Sequence, residues 1–120
     1  MKPALAWKAL KKHAMAKPGA WEDHPWGEPV YKCGKKIFAF VGFSEDGRYS
    51  LTCKLPDSSE VALSMFGWAT PTGYGLGKSG WVTASFQSKD DVPKDLLLQW
   101  IDESYTAIAP KRKATRKKRK

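Results

Sequence analysis

The chain has 120 residues, 42% of them hydrophobic and 12% aromatic, which suits one folded domain with one modest core. No apolar run approaches the roughly 20 residues of a membrane span, and Lys8, Lys11 and Lys12 break up any signal-peptide core, so the expected location is cytoplasmic. The formal net charge is +9, but eight of the 21 basic residues lie in positions 111–120, leaving 13 basic against 12 acidic residues in the rest.

In chain order, residues 3–16 predict an amphipathic helix: Pro3 is tolerated in the first turn, Trp7, Leu10 and Ala14 share a face, and Lys17-Pro18-Gly19 ends it. Residues 21–28, WEDHPWGE, read as a rigid aromatic loop. His24 beside Glu22 and Asp23 suggests a metal site, but His13 is the other histidine of the chain and no spaced ligand set accompanies either, so no metal is expected. Strands are predicted at 29–33 and 36–43 around a Gly34-Lys35 turn, and at 49–55 after the Asp46-Gly47 turn signal. Tyr49, Leu51, Cys53 and Leu55 alternate inward along the last of these. Cys33 and Cys53 lack metal-ligand spacing and read as small buried apolar residues.

A helix should open at 56–60, with Asp57 as its cap and Glu60 completing a capping-box-like pattern, and stop at Gly67. The segment 67–86 then places four glycines in the eight residues 73–80, with Tyr74, Lys78 and Trp81 among them, ahead of a strand from Trp81 to Phe86. That predicts a hairpin with a wing-like basic tip. Residues 75–80 satisfy GxGxxG, and Gly77-Lys78-Ser79 resembles the end of a phosphate-binding loop. Both motifs need a helix to follow, and WVTASF reads as a strand, so a nucleotide site is not expected. A last helix starts near Asp91 and Pro93, buries Leu97, Ile101, Tyr105 and Ile108, and stops at Pro110.

The predicted fold class is α+β: an antiparallel sheet of about four to six strands with the terminal helices on one face, a single domain over 1–110. Residues 111–120 carry Lys111, Arg112, Lys113, Arg116, Lys117, Lys118, Arg119 and Lys120 with no acid, which predicts a disordered basic tail that meets a polyanion; the alternative is a solubilising appendage.

The segments 15–20 (MAKPGA), 24–28 (HPWGE), 36–40 (KIFAF), 51–56 (LTCKLP), 77–86 (GKSGWVTASF) and 100–110 (WIDESYTAIAP) resemble, in this order, the MmcQ/YjbR family of small bacterial proteins. The resemblance implies a CyaY-like fold, as in frataxin, and a DNA-binding role through a double wing; Lys54 and Lys78 match family positions. Iron binding, the rival raised by the frataxin-like fold, needs clustered carboxylates, and the acids here are scattered.

The leading expectation is therefore a non-enzymatic nucleic-acid-binding monomer, with DNA favoured over RNA and no cofactor. Lys35, Lys36, Lys54, Lys78 and Ser79 would meet phosphates, Tyr74 a base or the backbone, and the tail would add sequence-independent attraction. The alternative is a protein- or small-ligand-binding module with a groove lined by Trp21, Trp26, Tyr31, Trp68, Tyr74 and Trp81. An enzyme lacks support, since no Ser-His-Asp or Cys-His order is apparent.

Overall fold

The computed structural model describes residues 1–109 other than Trp26, Glu45, Tyr74 and Gly75. The basic tail and the expected stacking residue Tyr74 thus lie outside the described residues. Helix α1 (Pro3–Met15) buries Ala6, Trp7, Leu10 and Ala14, and α3 (Lys94–Ile108) buries Leu97, Trp100, Ile101 and Ser104. A short α2 spans Ser59–Met65. The strands are β1 (Ala20–Asp23), β2 (Val30–Cys33), β3 (Lys36–Phe43), β4 (Arg48–Lys54), β5 (Ala69–Pro71) and β6 (Trp81–Gln87). They form one antiparallel sheet in the order β1-β2-β3-β4-β6-β5. This is the predicted α+β architecture.

Three local readings are corrected. The stretch read as a loop from Trp21 begins as a strand: Ala20 to Asp23 pairs with Val30 to Cys33. Acidic Glu22 and Asp23 disfavour a strand by propensity, but Glu22 accepts the Tyr31 hydroxyl (3.0 Å) and Asp23 pairs with Lys32 (2.8 Å). Second, Ala69–Pro71 is an edge strand that supplies the other arm of the predicted hairpin. Third, α2 has no side-chain cap of its own. Glu103, in α3, accepts from the Asp57 and Ser58 backbone N–H groups (2.9 and 3.1 Å) and from the Ser58 hydroxyl (2.6 Å). A carboxylate from another helix thus satisfies the N–H groups that the local sequence was expected to cap.

One side of the sheet is covered by helices. In the β3–β4–β6 register, Ala39, Cys53 and Val82 form one row and Val41, Leu51 and Ala84 the next, and all six are buried. Phe38 is an extra residue in β3 where the pairing with β2 shifts. The bulge lets both Phe38 and Ala39 bury, and Phe38 packs edge-to-face on Tyr105 of α3. The α1 and α3 helices run in the same direction. Val92 N–H donates to Met1 O (2.7 Å) at their start, and the Tyr105 hydroxyl donates to Pro18 O (2.5 Å) near their finish.

Candidate functional site

Strand register decides which charged residues share an end of the molecule. The turn between β2 and β3 carries Lys35 and leads into Lys36, with Gly34 at φ +65° reversing the chain so that Cys33 pairs with Lys36. Strand β4 finishes at Lys54, directly opposite Trp81, where β6 starts. Just ahead of Gly80 and Trp81 comes a single 3₁₀ turn, Leu76–Ser79, that holds Lys78 and Ser79. Antiparallel pairing therefore collects Lys35, Lys36, Lys54 and Lys78 at one end of the sheet.

Neutral groups lock that end together. Gly80 sits at φ +87°, and Leu55 N–H donates to its carbonyl (2.8 Å), fixing the Lys78 turn to the end of β4. A Cβ on Gly80 would stand 3.4 Å from the Leu55 carbonyl oxygen. Between Phe38 and Lys54 a hydroxyl from α3 bridges the two strands: Lys54 N–H donates to Ser104 Oγ (2.8 Å), and the Ser104 hydroxyl donates to Phe38 O (2.6 Å). Ser104 is fully buried and fully satisfied.

The lysines divide into two sets. Lys17 pairs with Asp102, which also accepts from His13 Nε2 (2.7 Å). Burial pushes the Asp102 carboxyl up, but these two partners more than offset it and hold the group below the usual carboxylate range. Lys32 pairs with Asp23, holding that carboxyl low, and lies 5.0 Å over the Trp21 ring. By contrast, Lys35, Lys36, Lys54 and Lys78 have no acidic partner among the described residues. Lys35, Lys36, Lys78 and Ser79 are exposed and Lys54 is half-buried. Glu103 lies at the same end on the helix side, committed to α2.

The face away from the helices carries Trp21, Lys32, Ile37, Phe40, Thr52, Lys54, Trp81 and Thr83 by register. The Thr52, Thr83 and Thr72 hydroxyls form a chain with spacings of 2.8 and 3.0 Å. Trp81 packs edge-to-face on Phe40 and is largely buried. At the far end of this face, Glu28 lies across Gly42: a Cβ there would stand 2.9 Å from Glu28 Oε1. The described members of the aromatic set proposed as a groove do not converge. Tyr31 is wholly buried, Trp68 stacks on Phe66 and packs at a tilt on Phe86 and Trp100 on the helix side, Trp21 stands on the opposite face, and Trp26 and Tyr74 lie outside the described residues. His24 pairs with Glu22 (2.8 Å), and no group of three metal-ligating side chains comes together among the described residues.

The YjbR family model matches residues 15–107, which spans both lysine segments, the glycine hairpin and most of α3. The chain belongs to the YjbR family. No curated protein matches it. Among solved structures, the YjbR chain is similar to Deinococcus radiodurans protein DR2400, a DUF419-domain protein, at 23% identity. That match covers 100% of this chain and 83% of the other, with a TM-score of 0.67, and shows a shared fold. No helix among the described residues of the YjbR chain is long and apolar enough to cross a membrane. The sequence reading counted Trp21 only among the groove aromatics; its place beside Lys32 and Gly34 at the lysine end emerges only once the β1–β2 register is known.

Proposed function

We propose that this chain is a non-enzymatic nucleic-acid-binding module, with DNA as the favoured ligand and the lysine end of the sheet as its phosphate-binding edge. The observation that carries the reading is the convergence of four lysines from three separate segments on one end, without acidic partners among the described residues. Helix α3 runs toward this same end, because Ser104 bridges Phe38 and Lys54 and Tyr105 reaches Pro18. The polybasic run 111–120 therefore follows a helix aimed at the lysine edge. Two hairpin tips, at 33–36 and 72–80, would flank the phosphates as wings, with Ser79 adding a hydroxyl. Such contacts position a ligand without reading its sequence.

The test is the salt dependence of affinity for duplex DNA, measured on the full chain and on residues 1–110. Each phosphate neutralised contributes about 0.9 to the slope of log K against log salt, so removing the tail should flatten the slope by up to about seven. Changing Lys35, Lys36, Lys54 and Lys78 together to Gln in the 1–110 chain should flatten it by up to about four more. A 1–110 chain that binds as the full chain does at every salt concentration removes the tail from the reading. A quadruple variant indistinguishable from 1–110 removes the lysine edge.

A further inference from the structure

Trp21 is the exposed aromatic of the lysine end among the described residues. It is 43% exposed, although tryptophan normally hides most of its surface. Its position is fixed on two sides. The indole Nε1–H donates to Gly34 O (2.9 Å) in the lysine turn, and the Lys32 ammonium lies 5.0 Å over the ring. A rigid indole beside Lys35 and Lys36, on the face that no helix covers, is a preorganised stacking surface next to a phosphate site. The other exposed aromatic among the described residues, Phe43, sits at the far end of β3, packed against Tyr49.

Resting on the nucleic-acid reading above, we propose that the ligand is a single strand, and that Trp21 stacks on one of its unpaired bases. Within a duplex each base is covered above and below by its neighbours, so an exposed ring on a sheet has no base face to lie against. A single strand offers those faces, and any base will serve because each has a π-surface. Charge complementarity gives the direction of the strand. From Trp21 on β1, the uncovered face leads past Ile37 to Lys54 on β4, three strand spacings or about 14 Å away, and then to Lys78 before β6. Phosphates would follow the lysines while the base turns onto the indole.

The experiment uses the full chain and three fluorescein-labelled ligands of about a dozen nucleotides, a length within the range that single-strand-binding folds cover. They are oligothymidylate, an abasic oligomer with the same number of phosphates, and a duplex, with binding read by anisotropy. Oligothymidylate should bind about tenfold tighter than the abasic oligomer, the size expected for one stacked base, and tighter than the duplex. Trp21→Leu should abolish the preference for bases and leave abasic binding unchanged. Trp21→Phe, which loses the bond to Gly34 but keeps a ring, should restore much of it, separating stacking from loop geometry. Equal affinity for thymidylate and abasic strands, tighter binding to the duplex, or a Trp21→Leu variant that keeps the preference would overturn the proposal and leave the phosphate reading standing. Failure to bind any of the three overturns both.

Discussion

Where β3 turns into β4 and β6 runs on toward α3, carboxylates close the chain. Asp46 accepts from the Ser44 hydroxyl and from Arg48 N–H, and Asp90 from Gln87 N–H (2.8 Å). Asp91 faces both the N-terminal ammonium (3.8 Å) and Lys2 (3.7 Å). At the opposite end the strand connections fall to neutral groups, and the Glu103 carboxylate there is committed to the start of α2 rather than to a lysine. Gly34 and Gly80 make the reversals, and the Ser104 hydroxyl joins β3 to β4. A turn closed by a carboxylate neutralises nearby cations as it folds. A turn closed by glycine or by a hydroxyl leaves them uncompensated. The chemistry that holds each end thus decides which end presents charge outward.

The sharpest way to break this contrast is at Ser104. Ser104→Ala strands a part-buried N–H on Lys54 and a buried carbonyl on Phe38 at once, and a buried group left unpaired costs about 1–3 kcal/mol. We expect a loss of about 3 kcal/mol in urea unfolding. Asp90→Ala, which removes a single acceptor from a part-exposed turn at the other end, should cost less than about 1 kcal/mol. Equal losses at the two sites would mean that the ends are held alike. Next comes Glu103. Glu103→Ala removes three hydrogen bonds from the start of α2 and should cost about 2 kcal/mol, since capping interactions reach that size where several donors share one carboxylate.

Glu103 also marks the limit of what the sequence discloses. The cap of α2 sits 45 residues away from Ser58, and no local pattern can announce it; the nearby Asp57 and Glu60 suggested a capping box instead. Periodicity carries information only about contacts made by the element itself. The inward alternation of β4 and the stripe of α1 were therefore legible, as were the six strands within their expected range; on α3 the stripe held at Leu97 and Ile101, while Tyr105 and Ile108 are half-buried and Trp100 and Ser104 take the buried places. Strand β1 was not, because Glu22 and Asp23 are stabilised by Tyr31 and Lys32, residues that meet them only in register. The same holds for the site. The lysines could be named from sequence, but their gathering at one end is a property of antiparallel pairing. Trp21 could be counted among the aromatics, but its place beside the lysine turn could not.

The smallest expected effect concerns Asp102, a carboxylate on the α1–α3 seam that faces both Lys17 and His13. Its folded-state carboxyl lies below its ordinary value despite burial, because Lys17 and His13 favour the anion. A depressed carboxyl stabilises the fold above the unfolded value, near pH 4, and that contribution disappears as pH falls through the lowered folded value. The side chain is 47% exposed, so solvent screens the pair and the effect should stay under about 1 kcal/mol. Asp102→Asn should flatten the acid limb of the stability curve below about pH 4 while changing little at pH 5 to 6 beyond the loss of the pairs themselves. Lys17→Met should shift the limb upward in pH without removing it, because His13 still donates to the carboxylate. If neither variant alters the limb, the seam between the helices rests on the packing of Leu10, Leu97 and Ile101 and on the Tyr105–Pro18 bond, and the ion pair is a surface ornament of that end.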